Sequence, residues 1–111
     1  MGDQHTLTVD LMRPVLHGDI VAVARVLYSE PVAERALVLK RLMQAADWAD
    51  GFRRATGRMH PVWGDGSLMT VALAAKPPPE PRLDDVEYCG CMAMVFEALV
   101  RELSGAGLVV S

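Results

Sequence analysis

Cysteine is scarce in this chain of 111 residues, where Cys89 and Cys91 are the only two. On a helix this spacing points the two side chains about 200° apart, so a disulfide between them is not feasible. Two cysteines without a CxxC spacing also cannot form the disulfide framework of a small secreted domain or a cysteine-based zinc site. We therefore predict a reducing compartment, most simply the cytoplasm.

Histidine is nearly as rare, and recognisable catalytic motifs are missing. His5, His17 and His60 are the three histidines, and no two of them lie four residues apart on a helix. This pattern predicts no metal site and no cofactor. The sequence contains no P-loop, no GxSxG motif and no dinucleotide-binding GxGxxG motif. We therefore predict no catalytic residue and do not expect an enzyme.

Long apolar runs and an excess of positive charge are also missing. The longest stretches without a charged residue, 67–75 and 88–96, have nine residues each, whereas a transmembrane helix needs about 20. Eleven basic residues against fourteen acidic ones give a net charge of −3, unlike a typical nucleic-acid-binding domain. Neither a membrane nor a nucleic acid is therefore an expected partner.

Apolar residues make up 51% of the chain, which is enough for one packed domain at this length. Their spacing predicts an all-α fold in a single domain over residues 1–111. The predicted helices span about 18–29, 31–56, 67–76 and 85–104. The remaining segments are an extended arm at 1–16, a proline-rich connector at 77–83 and an apolar tail at 105–111.

The second predicted helix carries apolar residues on two sides. Leu37, Trp48 and Phe52 lie nearly opposite the larger apolar face. A helix of this kind is either central in its domain or shared with a partner. The larger face consists of Val32, Ala36, Leu39, Met43 and Ala46, widened by Val38 and Leu42.

The fourth predicted helix has a broad apolar face, and Cys91 and Met94 fall outside it among charged residues. The predicted core face comprises Tyr88, Cys89, Met92, Val95, Phe96, Leu99, Val100 and Leu103. Because methionine suits adaptable binding surfaces, we predict a protein-interaction surface. Its candidate residues are Leu37, Arg41, Trp48, Cys91 and Met94. The alternative is that a neighbouring helix of the same chain covers both patches.

The loop between the second and third predicted helices collects residues suited to binding an anion. Its ligand-binding candidates are Arg54, Arg58, His60, Trp63 and Asp65, since arginine and histidine donate hydrogen bonds and an indole can stack. Ordinary helix ends explain the same residues separately. Arginines favour the end of a helix, Gly57 suits its C-cap, and Asp65 or Ser67 suits the N-cap of the next helix.

Several short motifs together resemble a family of small uncharacterised bacterial proteins. They are His17-Gly18-Asp19, Arg54-Ala55-Thr56-Gly57-Arg58, His60-Pro61 and Trp63-Gly64-Asp65-Gly66-Ser67-Leu68. The resemblance spans roughly residues 12–104. It implies a cytoplasmic, standalone protein, and it implies no activity, ligand or partner.

Three hypotheses about function follow, in order of preference. The first is a small protein-interaction or adaptor module that binds another protein or itself as a homodimer. The second is a binder of a small anion or nucleotide at Arg58, His60 and Trp63. The third is a regulator that contacts DNA, and its candidate contacts are Arg35, Arg41, Arg53 and Arg54.

Overall fold

The computed structural model describes residues 14–105, in which the regular structure is helical apart from one isolated bridge in a loop. The helices are α1 (His17–Tyr28), α2 (Arg35–Thr56), α3 (Leu68–Ala74) and α4 (Val86–Leu103). The all-α prediction with four helices is confirmed. Most of the predicted N-terminal arm and C-terminal tail lies outside the described residues, and the single-domain assignment stays a prediction.

Local capping sets most helix ends within a residue or two of their predicted positions. Gly57 ends α2 in the left-handed region at φ 75°, as expected for a C-terminal glycine. At the start of α4, Asp85 is the N-cap rather than the first helical residue. The Asp85 carboxylate accepts the backbone N–H groups of Glu87 and Tyr88.

The second helix begins four residues later than predicted. Pro31 is extended at ψ 144°, and residues Val32–Glu34 form a single 3-10 turn. Arg35 explains the shape of this connection. Its guanidinium reaches back and donates to the carbonyl oxygens of Glu30 at 2.9 Å and Tyr28 at 3.2 Å. These oxygens lie at the end of α1, where helical carbonyls need partners.

The core forms around α1, which packs against α4 and α3 and also contacts α2. Small residues make this possible, because Ala22, Val23 and Ala24 are buried and allow close approach from several sides. The central helix is therefore α1 and not α2. Of the two alternatives for the second predicted helix, a surface shared with a partner stays a prediction. The buried apolar residues are Ile20, Ala22, Val23, Ala24, Val26, Leu27, Leu39, Ala45, Ala46, Ala49, Leu68, Val71, Ala72, Tyr88, Cys91 and Val95.

The predicted apolar face of α2 is correct at its centre and wrong at its start. Leu39 and Ala46 are buried, whereas Val32 and Ala36 are exposed. Val32 belongs to the 3-10 turn, so the helical period does not extend to it. The buried position in the first turn is taken by Arg35 instead.

The predicted core face of α4 is rotated from the observed one. Tyr88, Cys91 and Val95 are buried, whereas the predicted core residues Cys89 and Phe96 are exposed. Val100 and Leu103, also predicted in the core, are exposed as well. The helix carries two apolar arcs, and contacts with other parts of the chain select one of them.

Two tyrosines fix the rotation of α4. The Tyr28 hydroxyl on α1 donates to the Asp85 carboxylate at 2.6 Å, and the Tyr28 ring packs edge-on against the Tyr88 ring. The Tyr88 hydroxyl donates to Glu80 at 2.9 Å. Burial and this carboxylate raise the pKa of Tyr88 well above its usual range, so its hydroxyl stays a donor.

The proline-rich connector at 77–83 forms no helix or strand. Arg25 on α1 holds it by donating from Nε to the Pro78 carbonyl oxygen at 2.7 Å. Among the helices of the described range, none is both long and apolar enough to cross a membrane.

Candidate functional site

Four aromatic rings from α2 and the following loop form a connected row. The Trp48 and Trp63 rings are 5.7 Å apart, and Trp63 stacks on His60 at 4.9 Å with an angle of 24° between the planes. Phe52 meets His60 edge-on at 5.1 Å. The row joins Trp48, predicted in the interaction surface, to His60 and Trp63, predicted in the ligand site.

A tight turn in the loop holds Trp63 in place. His60 and Gly64 exchange two backbone hydrogen bonds of 2.8 and 3.0 Å. The Nδ1 atom of His60 accepts the backbone N–H groups of Val62 at 3.0 Å and Trp63 at 3.2 Å. Because Nδ1 is an acceptor, the hydrogen of the neutral ring belongs on Nε2. We infer that His60 orients the turn and its tryptophan.

A groove of about 360 Å³ lies between α2 and α3 beside this aromatic row. Its lining is apolar except for the Arg41 guanidinium and the Trp63 indole N–H. Arg41 is exposed, and Trp63 is half-buried. The lining residues are Val38, Arg41, Leu42, Ala45, Trp63, Val71, Ala74 and Ala75.

Sequence reasoning identified Arg41 and Trp63 but missed the groove that joins them. The groove exists only because α3 packs alongside α2, which places Val71 and Ala74 opposite Val38 and Leu42. The available signal was the widening of the apolar face of α2 at Val38 and Leu42. Both are half-buried against the core, so they leave part of their surface for a ligand.

Arg54 of the predicted anion site and Arg53, a predicted DNA contact, are both paired with a buried carboxylate. Asp50 is 3% exposed, and it accepts Arg53 at 3.0 Å and Arg54 at 2.9 Å. Arg53 also donates from Nε to the Asp65 carbonyl oxygen at 3.1 Å. These contacts attach the end of α2 to the start of α3, so Arg54 has a structural partner.

Asp65 serves the start of α3. Its carboxylate accepts the Ser67 backbone N–H at 2.9 Å, and this bond lowers the pKa of Asp65. Ser67 in turn caps α3 by accepting the Thr70 backbone N–H at 3.1 Å. Arg58 is exposed beyond the end of α2. Of the five predicted ligand residues, His60 and Trp63 are in contact, whereas Arg54 and Asp65 have other partners. The anion site stays a prediction.

Three of the five residues predicted for the interaction surface are exposed as expected, and the other two are not. Leu37, Arg41 and Trp48 are exposed on α2, as expected. The prediction that Cys91 and Met94 lie outside the core is wrong. Cys91 is 1% exposed, and Met94 is half-buried against the core. Burial raises the pKa of the Cys91 thiol, which keeps it neutral and unreactive.

Asp19 connects the starts of two helices. One carboxylate oxygen accepts the Leu16 backbone N–H at 2.8 Å at the start of α1. The other accepts the Met69 backbone N–H at 2.9 Å, fifty residues away at the start of α3. A cavity of about 430 Å³ next to it is lined by Asp19, Arg53 and Asp65, among others, and all three are engaged in contacts between elements. In residues 14–105, His, Cys, Asp and Glu form no cluster of three that could hold a metal ion.

Comparison with known proteins identifies a family. Residues 13–99 match the model of a family described as a domain of unknown function (DUF7742). No curated protein and no solved structure matches the chain. The resemblance to an uncharacterised family is confirmed, and a bacterial origin and the cytoplasm stay predictions.

Proposed function

We propose that this protein, which belongs to the DUF7742 family of domains of unknown function, is a protein-interaction module that binds a partner segment in the groove between α2 and α3. The observation that carries the proposal is the lining of this groove, which is apolar with one arginine and one tryptophan. Tryptophan and arginine are enriched among residues that dominate binding energy in protein interfaces.

The groove indicates the chemistry of its occupant. Apolar walls suit one or two apolar side chains of a partner. Arg41 is the one cation of the lining, and the exposed Lys76 directly follows Ala75 of the lining in sequence. We therefore infer a segment that places an apolar anchor in the groove and an acidic residue near Arg41.

The aromatic row supports tight binding by limiting its entropic cost. Trp63 is held by stacking on His60 and by the hydrogen-bonded turn beneath it. A side chain that is already ordered loses little freedom when a partner binds. Trp48, 63% exposed and in contact with Trp63, extends the same surface towards solvent.

The competing hypotheses receive less support from the geometry. Arg54 is paired with Asp50, and His60 Nδ1 is occupied by backbone donors, which weakens the anion or nucleotide hypothesis. Arg35 is buried and bound to carbonyl oxygens at the end of α1. Arg35 could contact DNA only if its side chain left this buried position and lost these hydrogen bonds.

The test uses a displayed library of random peptides selected against the full chain, followed by calorimetry on synthetic copies of the enriched peptides. We expect peptides with an apolar anchor next to Asp or Glu. Ala74→Phe should abolish their binding, because Ala74 is exposed on α3 and lines the groove. The matched control is Leu73→Phe, since Leu73 is the neighbouring exposed residue outside the lining.

Arg41→Glu should remove the preference for acidic peptides, whereas Lys40→Glu should keep it, because Lys40 lies outside this groove. Peptides that bind Ala74→Phe as well as wild type would overturn the proposal. Failure to enrich any acidic, apolar peptide would do the same.

A further inference from the structure

The outer side of α4 carries an apolar stripe that the core does not use. It consists of Val86, Cys89, Ala93, Phe96, Val100 and Leu103, all of which are exposed. They recur at alternating spacings of three and four residues. This is the a and d pattern of helices that pair along a seam.

The stripe is separate from the buried face of the helix. Tyr88, Cys91 and Val95 face the core on nearly the opposite side. Eighteen residues make α4 about 27 Å long, and the stripe follows its whole length. Val100 is 61% exposed and Phe96 45% exposed. Exposed apolar surface of this regularity indicates a contact that the described residues do not supply.

We infer that α4 pairs with α4 of a second copy of this chain in antiparallel orientation, through a surface distinct from the groove. With one two-fold axis at the middle of the helix, Ala93 meets Phe96 of the other copy. The same axis brings Cys89 to Val100 and Val86 to Leu103. Each a position thus packs against a d position, and the smallest side chain faces the largest.

Side-chain size selects the antiparallel orientation. Parallel pairing would place Phe96 against Phe96 and Ala93 against Ala93, so the widest and the narrowest parts of the stripe would not complement each other. Parallel pairing would also align the two helix dipoles.

The size of the contact sets its strength. One pair of helices of this length buries less than the roughly 800 Å² per partner of a standard stable interface. We therefore expect a reversible dimer whose population rises with concentration.

Sedimentation equilibrium of the full chain over a wide concentration range tests the inference. The mass of wild type should rise from 12.1 kDa towards twice that value. Val100→Glu should stay monomeric and folded by circular dichroism, because the charge would enter the seam. Val32→Glu is the matched control, since Val32 is 70% exposed away from the stripe, and it should dimerise like wild type.

Cysteine oxidation tests the orientation. Antiparallel pairing separates the two Cys89 residues by about 16 Å along the axis, far beyond disulfide reach. Mild oxidation should therefore leave wild type without a covalent dimer, whereas Val100→Cys should form one rapidly through Cys89. Val32→Cys should not. Rapid covalent dimerisation of wild type would refute the antiparallel arrangement.

A wild-type chain that stays monomeric throughout the concentration range would overturn the dimer. That result includes the case in which residues outside 14–105 cover the stripe. The groove is unaffected by either outcome, because Val100→Glu should bind the selected peptides and Ala74→Phe should still dimerise. The two proposals can therefore fail separately.

Discussion

Replacing the buried Asp19 with alanine should destabilise the protein far more than the same exchange at an exposed aspartate. Asp19 is 5% exposed and accepts two backbone N–H groups, one at the start of α1 and one at the start of α3. Alanine would leave both donors without this partner in a largely dry environment. The consequence would be a loosened junction between two helices that are far apart in sequence.

The magnitude follows from the two bonds. Loss of a capping side chain costs about 0.5–2 kcal/mol, and a bond to a charged group contributes about 1.5–3 kcal/mol. Two such caps give an expected loss of about 2–4 kcal/mol for Asp19→Ala. Asp19→Asn keeps one acceptor oxygen, so about half of that loss is expected. In a domain of this size 1 kcal/mol shifts Tm by about 4–8 °C.

Urea unfolding followed by circular dichroism measures these losses, with an unchanged slope as the check that the two-state description holds. The control is Asp84→Ala, because Asp84 pairs with Arg82 and both side chains are largely exposed. That change should cost less than about 0.5 kcal/mol. A loss below about 1 kcal/mol for Asp19→Ala, or one equal to the control, would refute the double-cap assignment.

A second helix cap, a pH dependence and a glycine exchange supply further predictions. Ser67→Ala should lower the free energy of unfolding less in the Asp19→Ala background than in wild type, because both residues cap α3. Equal losses in the two backgrounds would contradict this. The Tyr28 hydroxyl lowers the pKa of Asp85 from its ordinary value. A lowered carboxyl pKa stabilises the fold at pH values above the unfolded-state pKa, and this stabilisation is lost as the pH falls through the folded-state pKa. Tyr28→Phe should therefore be less stable at pH 7, with a difference from wild type that fades below about pH 4 in acid titrations; a constant difference would disprove it. Gly66→Ala should cost more than about 2 kcal/mol, because Gly66 has φ 91° and an added Cβ would lie 2.6 Å from the Asp50 Cα. The control Gly51→Ala meets nothing within 4 Å and should raise the melting temperature slightly.

Local sequence signals determined the helices of this protein. Periodic apolar residues, Gly57 at a helix end and Ser67 at a helix start predicted the number of helices and most of their limits. Such signals act within one or two turns, so they operate before any distant part of the chain is in place. The 3-10 turn before α2 escaped prediction because Arg35 shapes it through carbonyl groups of the preceding helix.

The candidate sites depended far more on contacts between distant segments. Trp48 and Trp63 were each predicted as functional, yet only the folded loop places them in one row. Cys91 and Cys89 exchange their expected positions because α4 has two apolar arcs that periodicity alone cannot rank. The choice between the arcs requires partners elsewhere in the chain.

For α4, the sequence by itself determined that an amphipathic helix forms, since spacing and the Asp85 cap are properties of consecutive residues. Only the tertiary structure decided which arc is buried. The Tyr28 hydroxyl joins α1 to Asp85 across 57 positions of sequence, and the Tyr28 ring packs on Tyr88. Burial is a property of the assembled helices. A pattern read along one helix therefore cannot distinguish the arc that meets α1 from the arc left for a partner.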